Sequence, residues 1–322
     1  KGRQVNYEYN HTPETDTRFF PWQDVCSRVS GFQMSNGDFY QQLSHTLYNI
    51  ALNKETSSGP WINNELNAGS GDMTESPVDA AYIRRHVWGN LAYGTMGYQL
   101  WAFPNIVGAP YEFTVTPYDP IAPNNLPLKY FELKHCNQMI DSLGALLAGS
   151  VAPKPDFALL YLDDSTYGWT FVSSYWPDVE GLFEAFSARG YGDQLGVLTE
   201  WQLDNEDLGR FKALFLPQTP RVLESHGAAL AEYVKSGGTL VLMGDTARVG
   251  ELLDEHTTFP SRSLADVAGI EATKLSDVEI KEVPYSFTVN GQNVNCDIIT
   301  RITVPKGSSA KVIGTVQLPG KG

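Results

Sequence analysis

The segment "PWINNELNAG", Pro60 to Gly69, holds the residue types best suited to chemistry: one carboxylate, Glu65, directly behind two amides, Asn63 and Asn64, and an indole, Trp61. A carboxylate on a rigid strand end can serve as acid, base or nucleophile, because its place relative to a substrate stays fixed. Neighbouring amides can hydrogen-bond to hydroxyl groups or to the carboxylate itself, and aromatic faces offer flat apolar walls. A second wall is available from Trp101 and Phe103 in "QLWAFPN". The competing reading is that Glu65 is an exposed polar residue closing a strand.

Other carboxylates suit chemistry less well. Glu8 in "VNYEYN" is the only strand-like glutamate upstream of Glu65. Asp72 falls in a loop, and Glu75 lies just before a helix start, where the helix dipole favours a carboxylate for structural reasons. Asp163 and Asp164 are adjacent on a strand and so point to opposite faces, which argues against a shared metal. His86, His135 and His226 fall on helices or their edges and read as surface or satisfied residues. Cys26, Cys136 and Cys296 are far apart, with neither zinc spacing nor a disulfide framework, and read as buried thiols. The glycines of "GGTLVLMGDTARVG" lack the G-x-G-x-x-G order of a nucleotide site. No metal and no cofactor is expected.

The elements around these residues alternate. "FYQQLSHTLYNIAL" puts Phe39, Leu43, Leu47 and Ile50 on one helical face. "PWI" then leads a short strand into the loop "NNELNAGSGD". Ser76 as N-cap, Pro77 at the first helical position and Asp79 three residues after the cap open the helix "VDAAYIRRHVWGNLAYG", which should end near Gly94. "MGYQLWAFPN" reads as a buried strand and "PLKYFELKHCNQMIDSLGALLAG" as a long helix. In parallel α/β folds the strand C-termini carry the site, which places Glu65 and Trp101 on one rim. "QVNYEYN" and the "RVSGFQ" region add at most two strands, so these residues suggest part of a (β/α)8 barrel.

"SVAPKPD", Ser150 to Asp156, marks a boundary. Beyond it the strands "FALLYLDD", "QLGVLTE", "RFKALFLPQ" and "TLVLMGD" alternate with the helices "YWPDVEGLFEAFSARG" and "ESHGAALAEYVKSGG", the pattern of a doubly wound, flavodoxin-like sheet. After about Ile270 the alternation becomes that of antiparallel strands. The expected organisation is a partial barrel over 1–150, a flavodoxin-like domain over 151–270 and a small antiparallel β segment over 271–322.

Of 322 residues, 42% are hydrophobic and 19% charged, as in globular domains. The formal charge of −14 repels nucleic acid and anionic membranes, and no run approaches the roughly 18 to 20 apolar residues of a membrane helix. Neither nucleic acid nor membrane is expected as a partner. An aromatic content of 12% suits a neutral, sugar-like ligand, although a large aromatic core would also account for it.

In this order, "GPWINNELNAGSGD", a capped helix, "HVWGNLAYGTMGYQLWAFPN", a long helix and a flavodoxin-like domain resemble the family 42 glycoside hydrolases, the β-galactosidases. Pro60, Trp61 and Glu65 match the segment ending in that family's nucleophile on the seventh barrel strand. Ala92, Gly94 and Trp101 match the pattern announcing the eighth. "KSGGTLVLMGD" is similar to a strand of the trimerisation domain, which is itself similar to class I glutamine amidotransferases. The resemblance implies a retaining glycosidase with Glu65 as nucleophile, Trp61, Asn63, Asn64, Trp101 and Phe103 as sugar-binding residues, and assembly as a homo-trimer.

Two departures stand against the pattern. The family's acid/base lies on the fourth strand, and the 64 residues ahead of Glu65 hold no match to its Asn-Glu pair, so it is expected upstream of Lys1. Glu8 suits a fifth strand better. An active amidotransferase would carry a Cys at a sharp turn after a strand, where "LFLPQTP" offers Gln218 and Thr219, so this domain is expected to be catalytically silent. The alternative is a carbohydrate-binding or assembly protein without catalysis. Localisation stays open.

Overall fold

The computed structural model of the chain describes residues 26–28, 61–67, 79–101, 118, 124–150, 154–162, 172–244, 246–250, 259–260, 263–274, 285–289, 292–296 and 300–310. The helix expected from Phe39 and the strand expected at "QVNYEYN" lie outside them. Contacts divide the chain into two compact units, Lys1–Pro155 with Val179–Thr199, and Asp156–Asp178 with Glu200–Gly322.

In the first unit β1 (Cys26–Arg28), β2 (Trp61–Asn67), α1 (Ala80–Ala92), β3 (Gly97–Trp101) and α2 (Leu128–Ala148) follow one another. The strands lie in the order β1-β2-β3, both pairs parallel. Parallel neighbours need a crossover, and α1 supplies it between β2 and β3. Buried Tyr82, Ile83, His86, Val87 and Asn90 recur at helical spacing on one face of α1. Lys129, Leu133 and Cys136 do the same on α2. Tyr82, Ile83, Val87, Leu133 and Cys136 form one core cluster, with Tyr98 and Leu100 of β3 packed against it. Full burial of an aliphatic side chain such as Ile83 or Leu133 contributes about 1.5–3 kcal/mol.

The start of α1 differs from the expectation. Asp79, placed inside the first turn by the sequence pattern, is itself the N-cap: its Oδ1 accepts the Tyr82 N–H at 2.6 Å from an extended backbone. Its carboxylate satisfies an otherwise orphaned N–H and also complements the helix dipole. Ser76 and Pro77 lie outside the described residues. The end of α1 is as expected. Gly94 has φ 99°, its N–H bonds to Leu91 O and the Thr95 N–H reaches Asn90 O, both at 3.0 Å. A left-handed residue is needed to close this cap, and glycine takes that conformation without strain.

From Asp156 onward come β4 (Phe157–Tyr161), α3 (Val172–Ala188), β5 (Leu195–Thr199), α4 (Glu200–Asn205), β6 (Ala213–Leu216), α5 (Glu224–Lys235), β7 (Thr239–Leu242) and α6 (Ser263–Ala268). In the second unit β6 pairs in parallel with β4 on one side and β7 on the other. Residues Ala158 to Leu162 are all buried, the continuous burial typical of a parallel strand covered on both faces. The alternating tail forms two antiparallel pairs, β8 (Glu271–Lys274) with β11 (Thr300–Thr303) and β9 (Tyr285–Val289) with β10 (Gln292–Cys296).

The end of α5 explains the "YVKSGG" sequence. Gly237 is left-handed, and Gly237 and Gly238 close the helix as Gly94 and Thr95 close α1. The Tyr233 ring lies so close to Gly238 that a Cβ there would fall 2.3 Å from it. The Tyr233 hydroxyl donates to Phe211 O at 3.1 Å and accepts the Thr239 N–H at 3.2 Å. One phenol thereby links α5 to the approaches of β6 and β7. Gly238→Ala should destabilise the fold by about 1–3 kcal/mol, the usual cost of overpacking. The penalty in thermal denaturation should shrink when Tyr233→Ala is made alongside it.

His86 carries a second prediction. It is 1% exposed, its ring stacks on Tyr82 at 3.9 Å between centroids, and burial, aided by the Arg85 charge, pushes its pKa down to about 3. The unfolded chain, near the ordinary value of 6.5, takes up the proton first. The stabilisation is therefore complete above pH 6.5 and is lost as pH falls towards 3. Going from pH 7 to pH 5 should cost about 2 kcal/mol in chemical denaturation, and His86→Gln should flatten that dependence.

Candidate active site

The expected site residues other than Phe103 fall on the central strand, β2, and its neighbour β3. Trp61, Asn63, Asn64 and Glu65 lie on β2, and Trp101 is the last residue of β3. Glu65 stands two residues before the end of its strand, so Glu65 and Trp101 belong to the C-terminal ends of neighbouring parallel strands. Phe103, Glu8, Asp72 and Glu75 lie outside the described residues.

The register between these strands is not regular. Ile62 pairs with Gly97 and Asn63 with Tyr98, and then Leu66 pairs with Leu100 and Asn67 with Trp101. Two residues of β2, Asn64 and Glu65, thus stand opposite one residue of β3, Gln99. The register thus shifts by one residue between Asn63 and Leu66, the stretch that holds Glu65. Sequence reasoning missed it, because the pairing of two strands leaves no local signal. Ile62 and Leu66 are four apart, whereas their partners Gly97 and Leu100 are three apart.

β3 is held from the helix side. Tyr98 and Leu100 pack on the α1/α2 cluster, and the Tyr98 hydroxyl donates to Asn137 Oδ1. Burial pushes the Tyr98 pKa up to about 12, so the phenol remains a donor at neutral pH. α1 and α2 are fastened by a two-pronged ion pair, Arg84 Nε and Nη2 donating to Glu132 Oε1 and Oε2 at 2.7 and 2.6 Å. Hydrogen bonding to this guanidinium holds the Glu132 carboxyl below its ordinary value. The Cys136 thiol, raised by burial, lies 3.8 Å from Glu132 Oε1 and is fully buried, as its sequence context suggests. Lys129, 3% exposed, has its ammonium pushed down to about 8 by burial.

The second unit presents two turns after strands. After β6, the Gln218 N–H donates to Asp178 Oδ2 at 3.4 Å, and the Thr219 hydroxyl donates to Pro217 O. Burial raises the Asp178 carboxyl. After β7, Gly244 adopts φ 59°, and a Cβ there would fall 3.2 Å from Gln218 Cγ. Neither turn carries a cysteine. His226 is buried with Nε2 3.9 Å from Asp204 Oδ2, His86 is buried in α1, and His135 is exposed. Asp163 and Asp164 lie outside the described residues. Among the described residues no cluster of three His, Cys, Asp or Glu could hold a metal, and no helix is long and apolar enough to cross a membrane.

A parallel sheet roofed by helices, followed by a second alternating α/β unit and antiparallel strands, defines an α/β chain joining part of a barrel to a flavodoxin-like region. Residues 174–319 match the family model described as the Beta-galactosidase trimerisation domain, and the chain is similar to glycoside hydrolase family 42 proteins.

The solved structures agree. Gan42B, a GH42 beta-galactosidase from G. stearothermophilus, in a catalytic-mutant form, gives a TM-score of 0.66 at 16% identity, over 89% of this chain and 42% of its own. The beta-galactosidase from Bacillus circulans sp. alkalophilus gives 0.64 at 16% identity, over 81% and 38%. The apo GH42 exo-carrageenase from Bacteroides ovatus gives 0.50 at 11% identity, over 91% and 45%. The chain thus spans less than half the length of each, and at these identities the likeness shows the fold. No curated protein sequence matches the chain.

Proposed function

We propose that the chain carries the nucleophile half of a retaining glycoside hydrolase acting on β-galactosides or related β-linked sugars. The observation supporting this most directly is a glutamate near the end of β2, beside the parallel strand that ends in Trp101, in a chain whose later residues match the Beta-galactosidase trimerisation domain. Glu65 attacks the anomeric carbon. A C–O bond forms from its carboxylate as the bond to the leaving group breaks, and the departing oxygen keeps the electron pair. Asn63 or Asn64, with Trp61, Trp101 and Phe103, position the ring. The second carboxylate of such a mechanism protonates the leaving group, and we assign it to no residue of this chain. The domain reading remains 1–150, 151–270 and 271–322, the middle part serving assembly into a homo-trimer.

A leaving group that needs no proton isolates this half of the chemistry. With 2,4-dinitrophenyl 2-deoxy-2-fluoro-β-galactoside, the full chain should release dinitrophenolate once and retain the fluorosugar on the peptide containing Glu65, read by mass spectrometry. Glu65→Gln should abolish both. A label on another residue, or none, overturns the proposal, and sugar binding without labelling would favour a carbohydrate-binding protein. Sedimentation equilibrium tests assembly: three times the chain mass is expected, and a monomer at micromolar concentration counts against the trimer.

A further inference from the structure

The face of β3 turned from the helices carries a polar residue that packing does not explain, and the inference drawn from it rests on the glycosidase reading. Tyr98 and Leu100 pack on the α1/α2 cluster. Alternation along the strand puts Gly97 and Gln99 on the other face. Two observations agree with this. Gln99 is exposed, and a Cβ added to Gly97 would meet Ile62 Cγ2 at 3.4 Å rather than any residue of the cluster. In a (β/α)8 barrel this face is the inside, which branched apolar side chains normally fill. Here β3 offers it no side chain at Gly97 and an amide at Gln99.

The height of Gln99 on its strand fits a role in the site. It stands two residues before the end of β3, roughly 7 Å below the strand's C-terminus, the end at which such folds hold their ligands. Asn63 with Tyr98 and Leu66 with Leu100 pair on either side of it, so its backbone runs beside that of Glu65, one strand spacing of about 4.8 Å away. A glutamine amide carries a donor and an acceptor on one planar group, and can donate through Nε2 to one hydroxyl while accepting through Oε1 from the next. Gly97, two residues earlier on the same face, leaves room for a ring. We propose that Gln99 is a sugar-binding residue of the site, its amide holding adjacent hydroxyls of the ring that Glu65 attacks. Sequence reading passed over it because a lone glutamine in a short strand makes no motif, and its face is set by the packing of Tyr98 and Leu100 on the helices.

The labelling reaction tests this assignment separately from the nucleophile. Gln99→Met keeps the length of the side chain and removes the amide, and Gln99→Ala removes both. Each should slow labelling of Glu65 about tenfold or more, the size of one lost hydrogen bond to a sugar hydroxyl. The melting temperature should stay unchanged, because the residue is exposed. With fluorosugar reagents deoxygenated in turn at each remaining hydroxyl, the penalty should shrink where a hydroxyl held by the amide is missing and persist elsewhere, a response that loss of stability alone would not give. An equal penalty with every reagent, or label on Glu65 at an unchanged rate in both variants, overturns the inference and leaves the nucleophile standing. Failure to label Glu65 in the unaltered chain defeats the underlying reading, and this inference falls with it.

Discussion

Burial of one face of β3 beneath α1 and α2 is the constraint on which the first unit depends. Tyr98 and Leu100 are committed to the helix cluster, so β3 cannot slip by one residue without exposing both and burying Gln99 in their place. β2 takes its register from β3, and β1 from β2. The helices making the cluster are fixed in turn by the two-pronged Arg84–Glu132 pair and by the caps of α1 at both ends. Where the strands stop, and which residues stand opposite which, follows from packing far from the residues that could do chemistry.

Much of this order was readable in the sequence, because hydrophobic period and glycine placement are local signals. α1 ends where Gly94 said it would, α2 fills the long amphipathic stretch after Pro127, and the alternation after Ile270 does become antiparallel strands. The start of α1 was misjudged because Ser76 and Asp79 are both good caps, and spacing cannot tell which one the first apolar turn will sit on. The register shift was harder still. A single extra residue leaves no mark on composition or helical period, and only the partner strand shows the shift between Asn63 and Leu66.

The candidate site was legible in part, for the same reason. Strand ends could be located, which put Glu65 and Trp101 at neighbouring termini. Faces could not, because a face is a property of a pair of strands. Asn63 and Asn64 are the same residue type one position apart, and nothing in the chain alone separates them. The family resemblance supplied the order of elements, and the match over 174–319 carries it through the later residues.

The close approach of the Tyr233 ring to Gly238 has a consequence for descent. Neither residue means much singly: a glycine after a helix is ordinary, and so is a buried tyrosine. Together they form a lock whose two halves are interchangeable only as a set. Among homologues the two positions should covary, a bulky residue entering the second only where the aromatic ring has left the first. A replacement scored one column at a time would understate how tightly this corner of the molecule is inherited.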